Sequence, residues 1–413
     1  MRILFISKYF PDDLRIQVHG TFKRMGTFID AIKEIADIDM LFFVSPDNNY
    51  SLSRIAEIED SFSKHWQARI KLFFCPMADF NGNSGLNEWL SNGSGIYNFF
   101  NQQGRYEFST KTQLDAVENC LTRKPDAIFA KRLSVMCPLM LTRKSLPPVF
   151  FDMDDIDHVV ITRYIRNKNN LKSKFLYLQL PALTNGEYKA IKLASKTFVC
   201  SELDRIYLTK KHKLPGIITI PNSVSIPKLE PITSEPNLLF LGANYKPNIQ
   251  AAEYLVTKIW PLILDQLPQA RLIIAGTSGD KLNLNISEIP RLEVLGFVEN
   301  LDELYKRVRV TAVPILLGGG TRIKIIEAAA YGKPTVSTTM GAEGLEFSNE
   351  SEILVRDDPK QFAEACVKLL NDSNLCEKIG LAAREKAIEL YDQDNVIISI
   401  KQHFMNLLES DKL

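Results

Sequence analysis

At 413 residues, 45% hydrophobic and 24% charged, the chain is too long for one ordinary core and too apolar for wholesale disorder, so it reads as two domains of about 200 residues each. Fifty Lys+Arg against 49 Asp+Glu leave a net charge of +1, which removes the bulk charge a nucleic-acid partner requires. There is no apolar run of about 18 residues to span a membrane, and the cysteines at 75, 120, 137, 200, 366 and 376 have neither C-x2-C spacing nor a His at zinc-ligand distance, so they read as buried free thiols of a reducing compartment.

In chain order, the opening "MRILFISKYFPDD" has one Arg, a short apolar run and no cleavage site, so it reads as a first strand and not a signal peptide. The expected location is the cytoplasm or the inner face of a membrane. Further strands are predicted at 37–45, 69–76, 127–132, 149–155 and 196–201. A second series follows with "GIITIPN", "NLLFLG", "RLIIAG", "LEVLGF", "VTAVPI" and "PTVSTT". These runs are nearly continuously apolar and alternate with helical stretches, as in doubly wound parallel sheets covered on both faces. The Gly-, Asn- and aromatic-rich segment 79–112 is long for a connection and reads either as a lid or as a partly helical insertion. "PNSVSIPKLEPITSEPN" holds four prolines in seventeen residues and marks the passage between domains, placed at 1–215 and 216–391. The amphipathic last stretch, about 392–413, is expected to pack back on the first domain.

The stretch "GGGTRIKIIEAAAYGKP" is the most informative. Three glycines, Gly318 to Gly320, precede a helix expected to begin near Thr321. Glycine lets backbone approach a ligand closely, and helix-start N–H groups favour an anion. Arg322 and Lys324 add positive charge there. No Gly-Lys-Ser/Thr follows, and no GxGxxG follows the first strand, so neither a P-loop nor an ordinary dinucleotide site is present. Glu327 has two readings: a surface ion pair with Lys324 three residues earlier, or a carboxylate that accepts two hydrogen bonds from a vicinal diol such as a ribose.

"GGGTRIKIIEAAAYGKPTVSTTMGAEGL" resembles the donor-site signature of family-4 retaining glycosyltransferases. "FVCSELDRIYL", "IPNSV", "LFLGANYKPNIQAAEYL" and "LEVLGFVENLDELY" resemble that family's other segments in order and spacing. The resemblance is strong from about 196 to 346 and weaker before. It implies the GT-B fold: α/β, two facing doubly wound (Rossmann-like) domains with a cleft between them. It assigns the donor pyrophosphate to Gly319, Gly320 and Thr321, the donor ribose to Glu327 as the second acid of an E-x7-E motif, and the base to the backbone around Phe297 and Val298. The first acid of that motif is Gly319 here, which leaves the sugar open. The family's Arg after the donor domain's first strand is Ala243; Lys246, Arg322 or Lys324 would supply the charge. Gly20, in "DLRIQVHGTFKRM", occupies the family's N-terminal glycine loop beside donor phosphate or acceptor, and His19 reads equally as a loop residue.

Where many relatives carry a His after the fifth strand, this chain has "FFDMDDIDH". Asp152, Asp154 and Asp155 either cap the following helix or face substrate, and Asp154 and Asp155 are taken as catalytic-site residues. Asp152-Met153-Asp154 has the D-x-D spacing that holds a metal in a different glycosyltransferase fold. With cationic donor groups already in the other domain, no metal or cofactor is expected. Arg163, Arg166, Lys168, Lys172, Lys174, Lys189, Lys192 and Lys196, opposed only by Glu187, form either a solvated face or a surface for anionic lipid. The expected activity is a hexosyltransferase-type sugar transfer from a UDP- or GDP-linked donor to a saccharide or lipid-linked acceptor, as in surface polysaccharide or glycoconjugate synthesis. The alternatives are a nucleotide-sugar epimerase of the same fold and a catalytically silent saccharide- or nucleotide-binding subunit.

Overall fold

The computed structural model describes residues 1–11, 14, 20–45, 50–76, 111–166, 177, 180–231 and 233–410. The segment 79–112, with its lid reading, lies almost wholly outside these residues, as do His19, Lys168, Lys172 and Lys174. By its contacts the chain divides into two units, Met1–Gln17, Met25–Ile220 and Ile397–Leu413 in the first, Val18–Arg24 and Pro221–Val396 in the second.

The first unit is built on a seven-stranded parallel sheet in the order β3-β2-β1-β4-β5-β6-β7. Its strands are β1 (Arg2–Ser7), β2 (Asp37–Val44), β3 (Ile70–Pro76), β4 (Ala127–Lys131), β5 (Val149–Asp154), β6 (Lys196–Val199) and β7 (Ile217–Thr219). Ile3 to Ile6, Ala127 to Ala130 and Phe150 to Phe151 are fully buried, which is why these strands read as unbroken apolar runs. Aromatic rings fill one face: Phe5 stacks on Phe129 at 4.8 Å, and Phe404 of the C-terminal helix Gln393–Ser410 stacks on Phe150 at 3.8 Å. The C-terminal helix therefore covers the first sheet. The strand Ile217–Thr219, which the sequence reading placed in the second series, pairs in parallel with β6 instead. Gly216, at φ 80°, turns the chain out of helix Glu202–His212 and returns it to the same sheet, so the first series has one more member.

The second unit has a six-stranded parallel sheet in the order β10-β9-β8-β11-β12-β13. The strands are β8 (Asn237–Leu241), β9 (Arg271–Ala275), β10 (Leu292–Leu295), β11 (Val310–Val313), β12 (Thr335–Ser337) and β13 (Leu354–Val355). Leu238, Phe240, Leu272, Ile274, Val310 and Ala312 form its core with Trp260, Ile263, Phe362 and Leu369. In both sheets the order reverses beside the unit's first strand, between β1 and β4 and between β8 and β11, and ligands of such sheets bind beyond the carboxyl ends of the strands at that point. All six cysteines are buried free thiols. Among the described residues no helix is long and apolar enough to cross a membrane.

Candidate functional site

In the second unit β11 ends at Val313, beside the sheet's switch point, and the glycine loop follows it. Gly318 and Gly320 have φ of 131° and 70°, conformations that side chains with a Cβ rarely adopt. Two of the three glycines are thus required by the backbone. Gly319 has no such conformation, so its lack of a side chain is a chemical difference and not a steric one. The helix starts later than the sequence suggested, at Ile323, with Arg322 at its N-cap position. Arg322 folds back so that Nη1 donates to the carbonyls of Gly319, at 2.5 Å, and Gly320. Its guanidinium therefore pins the loop. Thr321 Oγ1 accepts from Asn222 Nδ2 at 2.7 Å, and Asn222 Oδ1 in turn accepts from Arg24 at 3.5 Å.

Of the two readings of Glu327, the ion pair with Lys324 is not formed. Glu327 is only 8% exposed and pairs with Lys23, not with Lys324. Lys324 turns elsewhere: its Nζ donates to Asn248 Oδ1 at 2.8 Å and stands 4.7 Å from the centre of the Phe240 ring. The helix is buried on several faces: Ile325 packs into the main core of the unit, Ala328 against Leu239 and Tyr305, and Ile326, Ala329 and Ala330 against Ala383 and Ala387 of helix Ser373–Tyr391. Burial pushes the Lys324 ammonium down to about 7, the neighbouring Arg322 charge pushes the same way, and the Glu327 carboxylate opposes both. Beneath Glu327, Tyr305 and Tyr331 stack at 4.2 Å, and burial raises both phenols.

Gly20 opens helix Gly20–Lys33, and a methyl added to it would stand 3.0 Å from Ile323 Cδ1. Gly20 thus meets the start of the glycine-loop helix, Lys23 meets its Glu327, and Arg24 reaches Asn222. Lys246 is exposed at the first position of helix Lys246–Tyr254. Phe297 and Val298 follow β10 and are half-buried. Sequence reasoning missed Lys23, Asn222 and Asn248, although "FKRM" and "IPNSV" lay in quoted segments. Their partners are 304, 99 and 76 residues away, which no local spacing reveals.

In the first unit β4 and β5 pair so that Lys131 is opposite Asp152. Lys131 Nζ lies 3.0 Å from Asp152 Oδ2 and 3.5 Å from Asp154 Oδ2, with all three side chains nearly inaccessible. Arg132 reaches Asp154 and Asp155 at 2.8 Å each. Burial works against its charge, but the two carboxylates outweigh that and raise its pKa. Cys200 Sγ lies 3.2 Å from Asp154 Oδ1. Regular strand alternation breaks at Asp154: it has φ 60°, and the β5–β6 pairing shifts between Asp152 and Asp154. Asp152 and Asp154 nevertheless converge, because both are drawn to the Lys131 ammonium. A left-handed Asp at a strand end costs on the order of 1–3 kcal/mol, and such strain gathers at functional sites. Arg132, also left-handed at φ 73°, was not singled out from the sequence.

Glu187, read as the one acid opposing the basic segment, is fully buried and so does not offset that surface. It accepts from the His158 backbone N–H at 3.0 Å and meets His158 Nδ1, while His158 Nε2 lies 2.8 Å from Tyr207 Oη. Arg166 and Lys192 of the basic segment are exposed.

Two parallel-sheet Rossmann-like units, with a glycine loop and a buried acid on the helix after the fourth strand of the second, define a GT-B chain. Residues 235–372 match the model of the family Glycosyl transferases group 1. It is 23% identical over 173 residues to the "Uncharacterized 44.6 kDa protein in cps region" of Klebsiella pneumoniae, which covers 40% of this chain and 45% of that one. The chain thus spans less than half the length of the curated relatives it matches. Among solved structures it is similar to sucrose-phosphate synthase of Thermosynechococcus elongatus, with a TM-score of 0.68, 14% identity and 99% of both chains covered. It is also similar to Anabaena HepE in complex with UDP and glucose, at 0.63, 13% identity and 99% of both chains. These likenesses show the fold.

Proposed function

We propose that the protein is a retaining glycosyltransferase, of the family-4 type, that moves a hexose from a UDP- or GDP-linked donor to a saccharide or lipid-linked acceptor in surface polysaccharide or glycoconjugate synthesis. One observation carries the reading: in the segment that matches the group 1 family, the glycine loop leads directly into a single helix that carries both the Lys324 ammonium and the buried Glu327. The cps-region relative supports the polysaccharide assignment, and the UDP and glucose complex of HepE supports the donor class.

In this reading the loop amides, the helix N-terminus and Lys324 stabilise negative charge as the diphosphate departs, the term that dominates such catalysis. Arg322 holds the loop in its receptive shape. Glu327 exchanges Lys23 for the donor's vicinal diol, and the base rests on the backbone at Phe297 and Val298, with Lys246 at the rim. Asp154 and Asp155, ordered by Lys131 and Arg132, accept hydrogen bonds from a sugar hydroxyl. No step calls for a metal.

The test incubates the full chain with a panel of nucleotide sugars and saccharide or lipid-linked acceptors, follows free UDP or GDP, and determines the anomeric configuration of the product. Acceptor-dependent release with the donor's configuration retained is the expected result. Inversion would remove the retaining mechanism, conversion of the donor without acceptor would make the protein an epimerase, and binding without turnover would make it a silent subunit. Gly319, in place of the family's first acid, is the feature that favours the last.

A further inference from the structure

A surface helix of a globular unit ordinarily turns its apolar side chains inward. Helix Glu202–His212 of the first unit does the reverse. Of its apolar residues only Leu208 is buried, while Leu203, Ile206 and Tyr207 are 53%, 52% and 39% exposed. These three stand at i, i+3 and i+4, so they form one outward stripe, and Lys210 is its next position. Single exposed apolar side chains are common on soluble proteins, but a stripe of three on adjoining turns marks a contact surface.

The stripe belongs to a well-anchored helix. Ser201 Oγ accepts from the Asp204 backbone N–H at 3.1 Å and donates to the Asp204 carboxylate at 2.7 Å, and Leu208 packs into the core. Tyr207 Oη lies 2.8 Å from His158 Nε2, whose Nδ1 meets the buried Glu187. The carboxylate holds the imidazole proton on Nδ1, so Nε2 accepts from the tyrosine hydroxyl and the ring is fixed at the surface. The charges are sorted along the helix. Both acids of its first turn are satisfied within the protein: Asp204 by Ser201, and Glu202 by Arg205 Nε at 2.8 Å and Thr219 Oγ1 at 3.0 Å. Lys210, Lys211 and Lys213 are exposed at the other end, and no acid follows in the chain before Glu230.

We propose that this face of helix Glu202–His212 seats the first unit on an anionic lipid surface. Leu203 and Ile206 enter the boundary of the acyl chains, Tyr207 lies at the level of the headgroups, and Lys210 and Lys213 meet lipid phosphates. The match is one of chemistry: an apolar stripe, an amphipathic ring beside it and a cationic end are what a helix lying in the plane of an anionic bilayer presents. A stripe of three side chains is small for a protein partner, since a stable interface covers about 800 Å² on each side. The apolar stripe is separate from the charges of Arg163 to Lys196 and adds a contribution that salt does not screen.

The experiment measures co-sedimentation of the full chain with vesicles of phosphatidylcholine containing one third phosphatidylglycerol, and with phosphatidylcholine alone, at low and high salt. The parent should bind the anionic vesicles at least about tenfold more tightly than the neutral ones. Leu203→Asn with Ile206→Asn should weaken anionic binding at least about tenfold at both salt concentrations, since each side chain withdrawn from the acyl boundary forfeits roughly that factor. Lys210→Gln and Lys213→Gln should each cost about fivefold, at low salt only. All four replaced side chains are exposed, so the variants should melt close to the parent. Insertion is read directly with Ile206→Trp: after subtraction of the parent spectrum, its emission should shift to the blue on anionic vesicles and be quenched by lipid brominated in the acyl chain. Absence of binding by the parent, unchanged binding by the Leu203, Ile206 double variant, or an unquenched Trp at position 206 would each overturn the proposal. Self-association without lipid that the double variant abolishes, with no vesicle binding, would overturn it in favour of a contact between copies of the chain. No donor or acceptor is present in these measurements, so their failure leaves the transferase reading untouched, and failure of sugar transfer leaves this one.

Discussion

Lys324 should make donor binding depend steeply on pH just above neutrality. Its ammonium is pushed down to about 7 by burial against Phe240 and by Arg322. A diphosphate needs the charged form, so the apparent affinity falls in proportion to the fraction charged. That fraction is about one half at pH 7, roughly a tenth at pH 8 and roughly a hundredth at pH 9, so the dissociation constant for UDP or GDP should rise close to tenfold per pH step above 7. Because the folded pKa lies below the ordinary 10.5, the unfolded chain holds the extra proton between about 7 and 10.5. The stability tied to this residue therefore increases with pH across that window, while ligand affinity decreases. Calorimetry of UDP and GDP at pH 6 to 9, in buffers of different ionisation enthalpy, measures both affinity and protons taken up. Uptake should approach one proton per site at pH 8.5, where the nucleotide no longer titrates. Lys324→Arg should flatten the profile. Glu327→Gln should move the fall to lower pH, since the carboxylate favours the charged lysine. Uptake near zero at pH 8.5, or a fall in affinity that persists in Lys324→Arg, would refute the reasoning.

Glu327→Ala should lower turnover by a factor on the order of 10² or more, through loss of a diol partner in a desolvated site; Lys23, partly exposed, can rehydrate, so the melting temperature should change little, and transfer at the parent rate would reduce Glu327 to a structural ion pair. Asp154→Asn should abolish most activity and destabilise the first unit by about 1–3 kcal/mol, because Lys131 and Arg132 keep Asp152 and Asp155 but each loses one charged acceptor; denaturant unfolding measures the second effect. Activity should persist in EDTA, and loss restored by Mg²⁺ or Mn²⁺ would show that the D-x-D carboxylates hold a metal. Changing Arg163, Arg166, Lys168, Lys172 and Lys174 together to Gln should weaken sedimentation with anionic vesicles, each charge contributing about 1 kcal/mol near such a surface, and high salt should mimic the change.

What was legible in the residues alone follows from local rules. Buried parallel strands show as apolar runs because both faces are covered, so the two α/β series were visible from "RILFIS" to "PTVS". The glycine loop was visible because two backbone positions exclude a Cβ. The helix after it was recognisable from its small apolar residues around one acid. The place where the first series ends was not visible, since Ile217–Thr219 is as apolar as either sheet requires, and only its pairing with β6 assigns it.

The sequence by itself determined which residue types stand at the carboxyl ends of the strands, because strand, turn and helix are set by neighbours a few positions apart. Which charges meet there was decided by tertiary structure alone. Glu327 has a lysine three residues before it and pairs with Lys23, 304 residues away. Asp154 takes Lys131 from a neighbouring strand and Arg132 from the residue just past its end. The physical reason is that a charge finds its partner by distance and dielectric, which folding sets, and not by separation along the chain.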